Sequence, residues 1–406
     1  MHNQDTTTVT PMDSHPPAIV QAIMIDPSLR VWATINLRAL KKNLSQVSVH
    51  CPESQIIPVI KANAYGHGVE QVALALKAMH KNFAALAVAS IEEAMELRTL
   101  GISTPILLLC GFRNKVEMKR CFNNKIEPVI HSMYQFEEIE KYLETEKLSG
   151  VGRVWVKFNS GMNRLGLDKE QALRVYEELH RHPQTEVVLM SHLASADDLE
   201  NQSAVEFTQR QIADFDSLKQ QVANSTQGPV QASLAASAGI LSLSQTHHQF
   251  VRPGFMLYGG SPFGNRTAEE IGLLPVMTLR AKIIAINNVE AGGTIGYGGI
   301  HRCEQRTRVG IVSVGYADGY PRSAKNGTPV LVNSKQGLRR AGLLGRVSMD
   351  TIAIDLTGLD SVKIGTEVVL WGDGLPADEV AHYADTISYE LFCKVTKRVE
   401  FVYTDE

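Results

Sequence analysis

The sequence predicts an α/β protein: a (β/α)8 barrel of the TIM type followed by a mostly β C-terminal domain. Two observations predict it. Between Ile56 and about Arg252, short apolar runs alternate with stretches of helical periodicity; after Gly260, β-branched runs follow one another, separated by Gly, Asp, Pro or Asn. At 406 residues the chain has room for two or three domains. The division expected is a flexible extension over 1–30, a barrel over 31–262 and a β-rich domain over 263–406, with the first strand able to pair with the second domain.

The barrel strands are expected at IIPVIK (56–61), AALAVA (84–89), PILLL (105–109), EPVI (127–130), RVWVKF (153–158), VVLMSH (187–192), VQASL (230–234) and QFVRP (249–253). Between them, segments such as SIEEAMELRTLG (90–101) and EFTQRQIADFDSLKQQVAN (206–224) repeat apolar residues at helical spacing and end at glycine or a polar break. Eight such units fit a closed barrel, with a doubly wound sheet as the alternative. In the second domain, strands are expected within LRAKIIAINNVE (279–290), RVGIVSVG (308–315), PVLVNSK (329–335), MDTIAIDL (349–356) and TEVVLWG (366–372).

Composition narrows the function. A formal charge of −3 leaves no electrostatic footprint for nucleic acid or an anionic membrane surface, and no apolar run approaches a membrane span. A small-molecule protein is the expectation. The five cysteines show no CxxC spacing, which argues against a disulfide framework or a zinc site and for a reducing, cytoplasmic setting. His67, His192 and Asp197 are not spaced as metal ligands, so no metal is expected, and His67 reads as local support.

A barrel carries its active site at the C-terminal ends of its strands. Lys61 follows the first strand, Lys157 and Arg164 stand at and just past the fifth, His192 ends the sixth, Ser237 follows the seventh and Arg252 lies in the eighth. A lysine ending an apolar strand either snorkels to the surface or becomes a nucleophile or base. The loops after the last two strands, AASAG (235–239) and RPGF (252–255), suit a phosphate, because Ser237 offers a hydroxyl and Gly254 has no side chain to block its amide. A phosphate opposite a desolvated lysine suggests pyridoxal phosphate, held through the lysine amine.

The chain resembles the alanine racemase family. The resemblance spans about Val31 to Tyr403 and rests on VIKANAYGHG (59–68), KFNSGMNRLG (157–166), SHLASAD (191–197), VRPGFMLYG (251–259), GYGG (296–299), VGYADGYPR (314–322), GRVSMD (345–350) and TISY (386–389), in the family's order. It implies a homodimer that interconverts L- and D-alanine with pyridoxal phosphate and supplies D-alanine for peptidoglycan. By the same resemblance, Lys61 bears the cofactor and serves one face of the substrate's Cα, while Tyr297 from the partner serves the other. Arg252 faces the pyridine nitrogen and His192 supports it. Arg164 lies near the phenolic oxygen and the substrate carboxylate, and Lys157 matches a lysine that many members carbamylate, with a simple Lys–acid pair as the alternative. Tyr65, Ser237, Tyr389 and the amides of Gly254 and Phe255 correspond to phosphate contacts. Met349 and Asp350 complete the substrate pocket from the second subunit, and Tyr316 narrows its entrance.

Three positions depart from the family pattern: Asn159-Ser160 stands where Asp-Thr is common, Ala236 where Asn often precedes the phosphate serine, and Ser348 where Cys is frequent. Two other readings compete. A barrel-type decarboxylase is disfavoured because that family's glycine-rich phosphate loop and C-terminal cysteine motif are not evident. A non-catalytic protein that handles pyridoxal phosphate is disfavoured because such relatives resemble the barrel alone, whereas this chain adds a second domain and Tyr297.

Overall fold

The structure, a computed structural model, describes residues 26, 28–79, 83–148 and 150–405. Most of the extension expected over 1–30 therefore lies outside the described residues. The first strand, β1 (Val31–Asn36), precedes a helix over Leu37–His50 whose first turn is capped by the Asn36 side chain, which accepts the Ala39 amide.

Eight strands then form one parallel sheet: β2 (Gln55–Ile56), β3 (Leu86–Val88), β4 (Ile106–Leu108), β5 (Ile126–Ile130), β6 (Gly152–Lys157), β7 (Thr185–Met190), β8 (Gln231–Ala236) and β9 (Phe250–Arg252). Their order is β2-β9-β8-β7-β6-β5-β4-β3, and parallel bridges Ile56–Phe83 and Val59–Ala87 join the two ends. The sheet is thus a closed barrel, and each of the eight apolar runs in the sequence overlaps one of its strands. Several ladders are shorter than the runs. In IIPVIK only the first isoleucine belongs to β2, because Pro58 has no N–H to donate; the segment continues through single bonds, Val59 N to Pro253 O and Ile60 N to Ala87 O.

Alternation along the strands separates two layers of packing. Val154 and Val156 of β6 face the helices in the larger core, whereas Trp155 points into the barrel with Val59, Ala87, Leu107, Val188 and Phe250. The Trp155 indole packs at a tilt with its centroid 5.1 Å from that of Phe250 and donates to the buried Glu127 carboxylate at 2.8 Å. The barrel is therefore a filled core, and the space left for chemistry is at its mouth.

The second sheet comprises β1, β10 (Met277–Val289), β13 (Thr307–Val312), β14 (Pro329–Ser334), β15 (Gly337–Leu344), β16 (Ile352–Asp355), β17 (Glu367–Trp371) and β18 (Glu400–Thr404). The short pair β11 (Thr294–Ile295) and β12 (His301–Arg302) stands apart from it. The long β10 pairs with β1 and β17 in its first half and with β13 in its second, and a register shift between Ile283 and Ala285 lets one strand serve both. β1 runs parallel to β18 and antiparallel to β10, so the start and the end of the fold meet in this sheet. β15 and β18 did not stand out in the sequence. The first reads GLRRAGLL, with two adjacent arginines and two glycines, and is held as a strand by its hairpin with β14.

Candidate active site

A cavity of about 670 Å³ opens at the C-terminal ends of the barrel strands. Lys61, Tyr65, Lys157, Arg164 and His192 line it from the first six strand ends, and Ser237, Arg252, Gly254 and Phe255 from the last two; Tyr389 reaches it from the second domain. These are ten of the fourteen residues singled out in the sequence. Tyr297, Tyr316, Met349 and Asp350 are not among the lining residues, and in the single chain Tyr297 is 70% exposed and Met349 53%.

Lys61 is half-buried and introduces an unusual turn. Ala62, Asn63, Ala64 and Tyr65 all have φ between 52° and 54° with ψ between 41° and 54°, a single turn of left-handed helix built without glycine. Such a conformation costs about 1–2 kcal/mol per residue, so its surroundings must hold it. Asn63 Oδ1 accepts the Val69 amide at 2.8 Å, and the Asn63 carbonyl accepts Gly68 N at 3.1 Å. Glu93 Oε1 accepts the Ala62 amide at 2.7 Å. His67, fully buried, contacts the Tyr65 carbonyl through Nδ1 at 2.8 Å and packs between Tyr258 and Phe392. Gly66 is obligatory on two counts: its φ is +78°, and a Cβ would stand 2.0 Å from the Phe392 carbonyl oxygen.

At the far side, the Ser237 hydroxyl accepts the amides of Gly254 (3.2 Å) and Met256 (3.3 Å). A Cβ on Gly254 would lie 2.8 Å from Tyr65 Oη, so only glycine lets the loop and the tyrosine approach this closely. Phe255 and Tyr389 stack with ring centroids 3.5 Å apart, and burial holds the Tyr65 and Tyr389 phenols above their usual pKa.

Arg252 is buried to 3% exposure. Its guanidinium donates to the Ser233 hydroxyl, to the Ser191 carbonyl at 2.6 Å and to the Leu234 carbonyl at 3.1 Å, and burial lowers its pKa to about 10. The hydrogen bonds of this arginine run to Ser191, Ser233 and Leu234, and His192 lines the same cavity beside it. Burial first, and then the positive charges of Arg252, Lys157 and Arg164, push the His192 pKa down to about 3, leaving a neutral imidazole at neutral pH.

Lys157 is buried to 8%, and among the described residues no carboxylate forms an ion pair with it. Burial and the neighbouring Arg252 and Arg164 lower its pKa to about 8. The Asn159 side chain turns away from it to shape the next loop, accepting Gly161 N at 3.2 Å and Asn163 N at 3.0 Å. Ser160 bonds the Ser191 hydroxyl at 2.8 Å, a task that a threonine hydroxyl would also perform. With Asp197 as the only carboxylate among the lining residues, the cavity is strongly positive and suited to an anion.

The remaining four residues gather on the second domain. Tyr316 N donates to the Ser348 carbonyl at 3.1 Å and Ala317 N to that of Met349 at 3.0 Å, while Arg398 bonds Asp350 at 2.7 Å. The Gly296–Gly299 turn carrying Tyr297 packs against Arg346 of the same GRVSMD segment. Sequence reasoning missed Asp318, wholly buried beneath this region, which accepts from Arg30, from Arg398 and from the Gly315 amide. It lies within the quoted VGYADGYPR motif, but its partners are distant in sequence.

Two sequence profiles match the chain, "Alanine racemase, N-terminal domain" over residues 35–262 and "Alanine racemase, C-terminal domain" over 276–403. The chain belongs to the alanine racemase family. It is 43% identical over 378 residues to the alanine racemase of Vibrio vulnificus (strain CMCP6), an alignment covering 92% of this chain and 99% of that protein. Among solved structures it resembles the biosynthetic alanine racemase of Pseudomonas aeruginosa, with a TM-score of 0.84 and 40% identity over 92% of this chain and 99% of that one. The alanine racemase of Bartonella henselae, described with covalently bound pyridoxal phosphate, matches with a TM-score of 0.80 and 28% identity over 93% of this chain and 100% of that one. An alanine racemase cavity for that cofactor needs an amine, a phosphate cradle and a donor for the ring nitrogen. Lys61, the Ser237–Gly254–Met256 cluster and the buried Arg252 have the chemistry for these parts. Among the described residues no helix is long and apolar enough to cross a membrane.

Proposed function

We propose that this protein is a pyridoxal-phosphate-dependent racemase that interconverts L- and D-alanine through two bases. The observation that carries the reading is one positive cavity joining Lys61, Arg252 and the Ser237–Gly254 cradle at the strand ends of a barrel. Lys61 would hold the cofactor, Ser237, Tyr65, Tyr389 and the amides of Gly254 and Phe255 its phosphate, and Arg252 its ring nitrogen. When bound, that group supplies the electron withdrawal that acidifies the substrate Cα–H.

The residues of this chain do the rest. The Lys61 amine removes or returns the proton on one face of Cα, and Tyr297 of the partner subunit serves the other. Arg252 donates a hydrogen bond and keeps its proton, since even a pKa of about 10 leaves it charged at neutral pH; its target stays unprotonated. Arg164 orients the substrate carboxylate. Lys157, buried with no acid partner among the described residues and with a pKa lowered to about 8, holds a larger share of free amine at neutral pH than an ordinary lysine; that amine would add carbon dioxide with loss of a proton, and the resulting anion would orient Arg164. The exposure of Tyr297, Met349 and the Tyr316 loop supports a homodimer in which each chain completes its partner's cavity, with Tyr316 at the entrance. Such an enzyme supplies D-alanine for peptidoglycan from the cytoplasm.

Proton NMR of the protein with pyridoxal phosphate and L-alanine in D₂O, with chiral analysis of the same sample, tests this. Loss of the α-proton signal with formation of D-alanine is expected. Exchange without D-alanine would refute the two-base assignment, and no exchange would refute the activity. Tyr297→Phe should abolish racemisation while cofactor stays bound; a variant that racemises at the parental rate removes Tyr297 from the mechanism.

A further inference from the structure

We infer that Glu93 is a positioning residue for Lys61, a role that rests on the reading of Lys61 given above. The left-handed turn over Ala62–Tyr65 begins directly after the lysine, so the direction of the Lys61 side chain depends on that turn being held. Like the start of any helix, the turn leaves its first amide without a partner of its own. The Ala62 amide finds one outside the turn, in Glu93 Oε1 at 2.7 Å. The other carboxylate oxygen accepts the amides of Ala89 at 2.8 Å and Ser90 at 3.1 Å.

Glu93 thereby fastens the Lys61 turn to the end of β3, where Ala89 itself lines the cavity. The two sites are 31 residues apart in sequence and meet because β2 and β3 close the barrel. The same side chain also forms a capping box: Ser90 Oγ accepts the Glu93 amide while Glu93 accepts that of Ser90. A structural role and a positioning role therefore share one carboxylate, and chemistry separates them.

Glu93→Gln keeps a capping box, since a glutamine oxygen can accept the Ala89 and Ser90 amides. Its NH₂ group then faces the Ala62 N–H, donor against donor. Ser90→Ala does the reverse, weakening the cap and leaving the Ala62 bond intact. Four quantities are measured for the full-length protein and both variants: kcat and KM for alanine and the thermal midpoint of the loaded form, and the rate at which the cofactor-stripped form recaptures added pyridoxal phosphate on Lys61. The last is trapped with borohydride and read as a mass increment on the Lys61 peptide.

Glu93→Gln is expected to lower kcat by about tenfold to a hundredfold and to slow capture, with KM nearly unchanged, because the amine is misplaced rather than removed. Ser90→Ala is expected to lower the midpoint and leave kcat and capture at parental values. Parental kcat and capture in Glu93→Gln overturn the inference. So do losses in both variants that simply follow the midpoint, for the carboxylate would then act only as a helix cap. If the parent captures cofactor on Lys61 but forms no D-alanine, the proposed activity fails while the capture rates still decide the role of Glu93.

Discussion

The buried His67 should make the stability of this protein depend on pH in a way that one substitution removes. Its ring is wholly inaccessible, Nδ1 lies 2.8 Å from the Tyr65 carbonyl, and Nε2 has no partner among the described residues. Burial lowers its pKa from 6.5 to about 4. The native state therefore prefers the neutral ring, while the unfolded chain binds a proton once the pH falls below 6.5. Stability from this group is complete above 6.5, is lost as the pH falls and stops falling below about 4. At about pH 5 the deficit spans roughly 1.5 pH units at about 1.36 kcal/mol each, or about 2 kcal/mol. His67→Asn keeps a donor near Nδ1 but does not titrate. The assay is urea unfolding followed by circular dichroism at fixed protein and cofactor concentration, at about pH 7.5 and about pH 5. The variant should be weaker at both values, having lost its packing between Tyr258 and Phe392, yet its loss on acidification should be about 2 kcal/mol smaller than the parent's. His192 and His248, also depressed by burial, titrate in both proteins and cancel in the comparison. Two pH profiles that run parallel to within about 0.5 kcal/mol would refute the reasoning.

Gly254→Ala would place a methyl 2.8 Å from Tyr65 Oη, in a ring already stacked 4.9 Å from Tyr258, and should weaken retention of pyridoxal phosphate by tenfold or about 1.4 kcal/mol; an unchanged dissociation constant would clear the cradle of that role. Asp318→Asn removes the charge that Arg30, Arg398 and the Gly315 amide share at a wholly buried site. Both arginines are partly exposed and can turn to water, so a loss of about 2–3 kcal/mol is expected from urea midpoints, and a loss under about 0.5 kcal/mol would show that the carboxylate is replaceable.

The barrel was legible because each strand is a short apolar run bounded by turn residues, and because its polar exceptions fall at one end. Lys61, Lys157, His192, Ser237 and Arg252 all interrupt or end apolar segments and all reach one cavity. The departures from the family pattern were less legible. Asn159 stands where Asp is common, and only the structure shows that its side chain serves the neighbouring loop. The residues that hold Arg252 were hidden in quoted motifs: Ser233 is a single hydroxyl within VQASL, and Ser191 contributes a carbonyl, which no residue type announces. Glu93 showed half of its role, since Ser90-x-x-Glu93 is the pattern of a capping box, but its bond to Ala62 has no local signature.

Local patterning alone determined most of the strands and helices, though not β15 or β18, and which polar groups stand at strand ends, since side-chain periodicity and turn chemistry act over a few residues. The tertiary structure decided what those groups meet. It carries β1 away from the barrel to β10 and β18, holds four successive residues left-handed behind Lys61, and leaves Lys157 among cations with no ion-pair partner among the described residues. It also keeps Tyr297 and Met349 outside the cavity of their own chain. Each of these outcomes depends on groups tens to hundreds of residues apart, whose proximity is set by sheet closure and domain packing rather than by anything within reach along the chain.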